Sequence, residues 1–169
     1  RGKESAFFAF ADTVSAQNYS GDADCHGWMG IRFQTHPQSP ANQIILHTRM
    51  LDRDGFMQQE ALGILGVNLI YGARTYADQP ELLLGSLLDK LGSDRIEIDM
   101  VEFKGDAFAD VDHRLISLRL VEYGLSRAAM VSSKGEVLRP SEILYKKPVI
   151  LQRGRFRPPT LVHADIQRR

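Results

Sequence analysis

Residues 4–14, ESAFFAFADTV, alternate so that Phe8 and Phe10 share one face and Phe7 and Ala9 the other, which predicts a strand. The stretch 15–27 is polar and carries glycine, and predicts a loop. Alternation returns from Trp28 to Gln34, with Met29, Ile31 and Phe33 set against Arg32 and Gln34. Two prolines make 35–42 a second loop. Gln43 to Leu51 alternates again: Ile44, Leu46 and Met50 fall on one face, His47 and Arg49 on the other. The second and third strands are expected to pair as an antiparallel hairpin.

The period then changes. Phe56 to Arg74, FMQQEALGILGVNLIYGAR, is apolar on nearly every side from Ala61 onward, broken only by glycines and Asn68. A helix apolar all round must be covered on several sides. This one is expected to lie between the sheet and a second layer or a partner chain. It is shorter than the roughly 20 apolar residues that span a bilayer. Gly63 and Gly66 each lower helix propensity by about 1 kcal/mol relative to Ala, and close approach of another backbone is their expected return. Asp52 or Asp54 is the expected N-cap, and Asp54, with Met57 and Gln58 behind it, makes a reasonable start.

A second helix is predicted from Pro80 to Leu91, with Pro in the first turn and Gly92 at its stop. Arg95 to Phe103 reads as a strand whose alternation breaks at Val101, which predicts a bulge or burial on both faces. After a loop at 104–110, Asp112 to Tyr123 reads as an amphipathic helix closed by Gly124. Leu125–Val131 and Glu136–Leu138 read as a strand and its return around a turn at 132–135. Arg139-Pro140-Ser141 opens a short turn through Leu144, and Lys147 to Leu151 reads as a last core strand. This order is neither a strict βα alternation nor a sandwich. It predicts an α/β chain of the mixed α+β kind: a mixed, partly antiparallel sheet flanked by about three helices.

The 169 residues suit one domain with a sizeable core, and 43% apolar with 25% charged residues is a globular composition. The single cysteine, Cys25, excludes an internal disulfide and points to a reducing, cytoplasmic setting. No signal peptide or membrane span is legible. Asn18-Tyr19-Ser20 has the glycosylation pattern, read as chance in that setting. The zero net charge is unevenly spread: residues 139–169 hold eight Arg or Lys and two acids. That basic end either lies against the acidic body or meets an anion. The chain starts at Arg1 and stops at Arg168-Arg169, so it reads as a piece of a longer polypeptide. The expected division is one domain at 1–151 and, at 152–169, a basic connector or the start of a further segment.

Chemistry is sparse. None of His26, His36, His47, His113 and His163 forms a chelating pair in sequence, so no metal is expected. Glu97 and Asp99 share a strand face and are read as solvated, or as an acid/base pair or Mg²⁺ site. Asp110 and Asp112 fit helix capping. Cys25, in the polar loop beside His26, would be a low-pKa thiol if it had a third partner. The most specific constellation is Arg32, His47 and Arg49. Paired strands would set these three on one sheet face, where they need anions from the protein or from a ligand.

Two resemblances add to this. The segment PVILQRGRFRPPTLVH, residues 148–163, resembles the opening motif of nucleotidylyltransferases of the nicotinate-nucleotide adenylyltransferase kind. That motif has an apolar strand, then Gly-x-Phe-x-Pro, then a Thr/His pair, here Gly154, Phe156, Pro158, Thr160 and His163. The resemblance implies ATP, with Mg, held at the glycine turn, and Thr160 and His163 stabilising the transition state. Over most of the chain, CHGWMGIRFQ, QQEALGILGVNLIYGA, RIEIDMVEF and PSEILYKKPVIL resemble a family of larger bacterial proteins with no established function. Its members are labelled "TonB-dependent receptor" or "nicotinate-nucleotide adenylyltransferase". That resemblance implies a cytoplasmic bacterial protein of which this chain is a fragment.

The residues assemble no complete catalytic constellation, while the over-apolar helix points to association. The expected function is therefore a non-catalytic binding or assembly module that forms a homo-oligomer. The alternative is a nucleotide-binding or nucleotidyltransferase fragment using Gly154–His163. A nucleotide or other anion is a possible ligand. No membrane contact is expected. Few aromatic residues interleave with the basic ones, so nucleic acid is not an expected partner.

Overall fold

The computed structural model describes residues 5–15, 25–144 and 146–168. Most of the loop expected at 15–27, and Asn18-Tyr19-Ser20 within it, lies outside the described residues. Four strands, β1 (Phe8–Ser15), β2 (His26–Phe33), β3 (Asn42–Met50) and β4 (Ile96–Lys104), form one sheet in the order β1-β2-β3-β4. Every pairing is antiparallel, and β2 and β3 make the expected hairpin. The fold is α+β.

One face of the sheet is the core. Met29, Ile31 and Phe33 of β2, Ile44, Leu46 and Met50 of β3, and Ile96, Ile98, Val101 and Phe103 of β4 are all buried. Helix α1 (Gly55–Thr75) lies across β2 and β3 and buries Ala61, Leu62, Leu65 and Leu69. Burying each such leucine contributes about 1.5–3 kcal/mol. Its N-cap is the expected Asp54, whose carboxylate accepts from the backbone N–H groups of Phe56 and Met57 at 2.9 and 3.1 Å.

The glycines of α1 work differently from expectation. A Cβ at Gly66 would meet side chains, Phe10 at 3.1 Å and Met29 at 3.8 Å, and one at Gly63 would meet nothing within 4 Å. A neighbouring backbone comes near at Gly72, where a Cβ would meet the Ser86 and Leu83 side chains of α2 (Pro80–Ser86) at 3.1 and 3.2 Å and the Leu83 carbonyl oxygen at 3.8 Å. Helix α2 is also shorter than predicted. Asn68 of α1 donates to the carbonyls of Leu87 and Asp89 at 2.8 and 2.9 Å. The chain closes in tighter turns, Asp89 N–H to Ser86 O and Leu91 N–H to Leu88 O, and Lys90 takes a left-handed φ of 56°. Asn68, the polar exception in the apolar run, is thus a cap for its neighbour.

The bulge in β4 sits at Asp99: Thr48 faces Ile98 while His47 faces Met100. Helix α3 (His113–Glu122) packs on β4 through Ile116 and Leu120. The predicted strand 125–131 is cut to Met130–Val131, β5, which pairs with Val137–Leu138, β6. Residues 125–127 instead run beside β4, with Leu125 O accepting from Ile98 N–H and the Glu97 carboxylate accepting from Arg127 N–H. A side chain there takes the place of a ladder partner.

After the short helix α4 (Pro140–Ile143), the expected core strand at 147–151 does not form. Ile150 and Leu151 are 91% and 89% exposed. A β-branched run becomes a strand only with a partner edge, and among the described residues it has none. Nor is the tail an extended connector throughout, because Leu161–Arg168 forms helix α5.

Candidate functional site

The face of the sheet turned away from α1 gathers the polar chemistry. Alternation sends His26, Trp28 and Arg32 of β2 and His47 and Arg49 of β3 to this side. Arg32, His47 and Arg49 therefore share a face on paired strands. They do not form one cluster. Arg49 lies opposite His26 and His47 opposite Trp28, whereas Arg32 lies opposite Gln43, about 13 Å further along the strand. Arg32 is exposed and makes no ion pair among the described residues.

The anions that meet the other two are the protein's own. His47 Nδ1 is 2.5 Å from Asp99 Oδ1, and Arg49 donates to Glu97 Oε2 at 3.0 Å. Glu97 also accepts from Ser126 Oγ at 3.3 Å and Arg127 N–H at 3.1 Å. The pair Glu97 and Asp99, expected on a solvated face, is buried at both positions. The bulge explains Asp99: it adds a residue opposite His47 and turns the carboxylate toward the imidazole. An ion pair out of water is held only where every lone pair finds a donor, which the Ser126 and Arg127 contacts supply for Glu97.

The network continues outward. His26 Nδ1 lies 3.2 Å from His47 Nε2, and the Trp28 ring packs edge-on against His47 at 4.9 Å. Arg139, which ion-pairs with Glu142, places its guanidinium 4.6 Å from the Trp28 ring centroid. His47 is buried and His26 exposed, so the chain Asp99–His47–His26 runs from core to solvent. The Asp99 contact fixes the orientation of the His47 ring. Sequence reading missed His26, Trp28 and Arg139. The register opposite His47 and Arg49 would have revealed the first two.

Cys25 is not in an exposed loop. It is buried, and its carbonyl accepts from Met50 N–H at 2.8 Å. A reactive thiol needs access, which this one lacks. Asp112 caps α3 as expected, accepting from Arg114 N–H at 2.9 Å.

The tail motif does come together. Thr160 N–H donates to His163 Nδ1 at 2.9 Å, with Thr160 Oγ1 2.8 Å from the same nitrogen. Phe156 packs on the His163 ring at 4.7 Å, and a Cβ at Gly154 would meet both rings at 3.5 and 3.8 Å. Pro158 lies in the intervening loop. Thr160 and His163 form the start of α5 much as a capping box does, with the imidazole in place of the usual glutamate. The turn and helix of the motif are present, and the apolar strand before them is not. Among the described residues no ion pair joins Arg153, Arg155 or Arg157 to the body.

A third surface is apolar. On the flank of α1 beside β1, Val67 is 65% exposed and Ile70 and Tyr71 are also uncovered. Phe7, Phe8 and Phe10 of the neighbouring chain segment are each about 40% exposed. Between them runs a cleft of about 530 Å³ lined by Phe10, Leu62, Gly66, Val67 and Ile70. The outer edge of β1 pairs with no strand among the described residues. The helix expected to be covered on several sides is thus covered on two, by the sheet and by α2.

The molecule is defined by class alone: an antiparallel α+β domain with a buried histidine–carboxylate network on one sheet face and a bare apolar helix flank on the other. No family model, curated protein or solved structure matches the chain. No helix among the described residues is long and apolar enough to cross a membrane.

Proposed function

We propose that the chain is a non-catalytic, cytoplasmic binding and assembly module of a larger bacterial protein, and that it self-associates through α1. The observation that supports this most is the bare flank of α1, continuous with the exposed phenylalanines of the β1 segment. Contiguous exposed apolar surface marks an interface. A two-fold contact buries each side chain in both copies, at about 1.5 kcal/mol or more apiece. Several such side chains together must outweigh an association cost of at least about 4 kcal/mol, and the expected assembly is a micromolar dimer. Sedimentation velocity tests it. Val67→Glu, at an exposed position, should weaken the dimer at least roughly tenfold, because it puts two unpaired charges into the contact. A wild-type monomer at high micromolar concentration would sink the reading.

A second reading has its own observation, the meeting of Gly154, Phe156, Thr160 and His163 at the start of α5. Under it, the segment binds a nucleotide phosphate, ATP with Mg, flanked by Arg153, Arg155 and Arg157. Isothermal titration with ATP should then show millimolar or better binding, lost in the Thr160→Ala/His163→Ala double variant. No heat with the wild type would remove this reading for the isolated chain.

A further inference from the structure

The pairing of β2 and β3 sets two imidazole nitrogens 3.2 Å apart on the outer sheet face, His26 Nδ1 and His47 Nε2. Two ligands of one tetrahedral ion with metal–nitrogen bonds of about 2.0–2.1 Å stand about 3.3 Å from each other. We propose that His26 Nδ1 and His47 Nε2 bind a single divalent transition-metal ion of the zinc class.

Three features beyond the separation support this. First, Asp99 Oδ1 lies 2.5 Å from the other nitrogen of His47. Imidazole ligands commonly donate their remote N–H to a carboxylate, which fixes the tautomer and makes the ligating nitrogen more basic. Here the carboxylate stands at Nδ1, the nitrogen remote from His26, and Nε2 is the nitrogen that faces His26. Second, the inner ligand is preorganised. His47 is 2% exposed and packs edge-on against Trp28. Little rotamer freedom is left for the ion to remove. Third, the outer ligand is exposed, so the ion has a way in from solvent.

The neighbouring charges do not oppose it. Arg49 is matched by Glu97, and Arg139 by Glu142. Glu97 in turn is taken up by Arg49, Ser126 and Arg127, and is not a ligand. Among the described residues no group of three or more His, Cys, Asp or Glu side chains is placed to hold an ion. Among the described residues the site has two protein ligands, and water or an added donor fills the remaining positions. Imidazole donors select zinc, copper, nickel and cobalt over magnesium and calcium. With only two protein ligands we expect an affinity in the micromolar range, about 8 kcal/mol. The open positions make the ion an attachment point for a carboxylate or imidazole from elsewhere, which suits a binding module better than a buried structural zinc would.

The test is isothermal titration of the full chain with zinc chloride, with optical titration by cobalt(II) as a second readout. The expected result is one equivalent bound with micromolar affinity. His26→Ala, at an exposed position, should weaken binding at least tenfold without altering the circular dichroism spectrum. Asp99→Asn should weaken it by roughly tenfold or more, and His47→Gln should abolish it. Both buried positions carry a folding risk, so His26→Ala is the deciding variant. No binding below about 1 mM zinc, or binding unchanged by His26→Ala, overturns the proposal. The first result leaves the 3.2 Å contact a simple hydrogen bond, and the second moves the ion to other histidines.

Discussion

Asp112 has one ionisation that can be followed from contact to stability. Its carboxyl accepts from the Arg114 side chain and then from the Arg114 backbone N–H, and these hold its pKa down at about 2. In the unfolded chain the value returns to about 3.9. A carboxyl with a depressed folded pKa stabilises the fold above its unfolded value, and the contribution disappears as pH falls through the folded value. The window for Asp112 therefore runs from about pH 4 down to about pH 2. Asn at this position keeps the cap and removes the charge. Denaturant unfolding across that window should find wild type more stable than Asp112→Asn above about pH 4. The gap should close by about pH 2 and shrink in high salt, because the pair is solvent-exposed. No gap at any pH would show that the charge contributes nothing and that the cap hydrogen bond, which Asn retains, accounts for the whole effect of Asp112.

At the scale of elements, what is legible in advance follows from what a segment needs in order to form. Period-two alternation is local backbone geometry, so β2 to β4 are visible within a residue or two and β1 with a start set four residues early, and Asp54 and Asp112 are visible as caps. The errors fall where formation depends on a distant partner. Residues 147–151 have strand composition but pair with no strand among the described residues. Residues 125–129 lose their ladder to the Glu97 carboxylate. Helix α2 stops early because Asn68, a dozen positions before its start, takes the carbonyls that follow it. The candidate site divides the same way. That His47 and Arg49 share a face is legible from spacing. That His26 stands opposite Arg49, and that a bulge turns Asp99 onto His47, depends on register, which alternation alone does not set. The tail cluster is legible residue by residue because its members are close in sequence.

At the scale of the whole molecule, the core and the tail separate. Every residue of the buried apolar cluster lies between Cys25 and Leu125. Residues 146–160 form no helix or strand, and carry Lys146, Arg153 and Arg155 before bonds trypsin can cut. Surface changes away from the core alter stability by about 0.5 kcal/mol or less, equivalent to about 2 °C at this length. Limited trypsin digestion should therefore release the tail first and leave a resistant fragment ending between 146 and 155. Its melting temperature should lie within about 2 °C of the intact chain. A fall of more than about 5 °C, or digestion of the body at the same rate as the tail, would mean that the tail completes the core. The same fragment separates the proposed functions. Self-association through α1 should survive the cut, since Val67, Ile70 and the β1 phenylalanines remain, whereas ATP binding should leave with Thr160 and His163. A fragment that became monomeric would instead assign the contact to the tail, where Ile150, Leu151 and the Leu161, Val162 and Ile166 side chains of α5 are exposed.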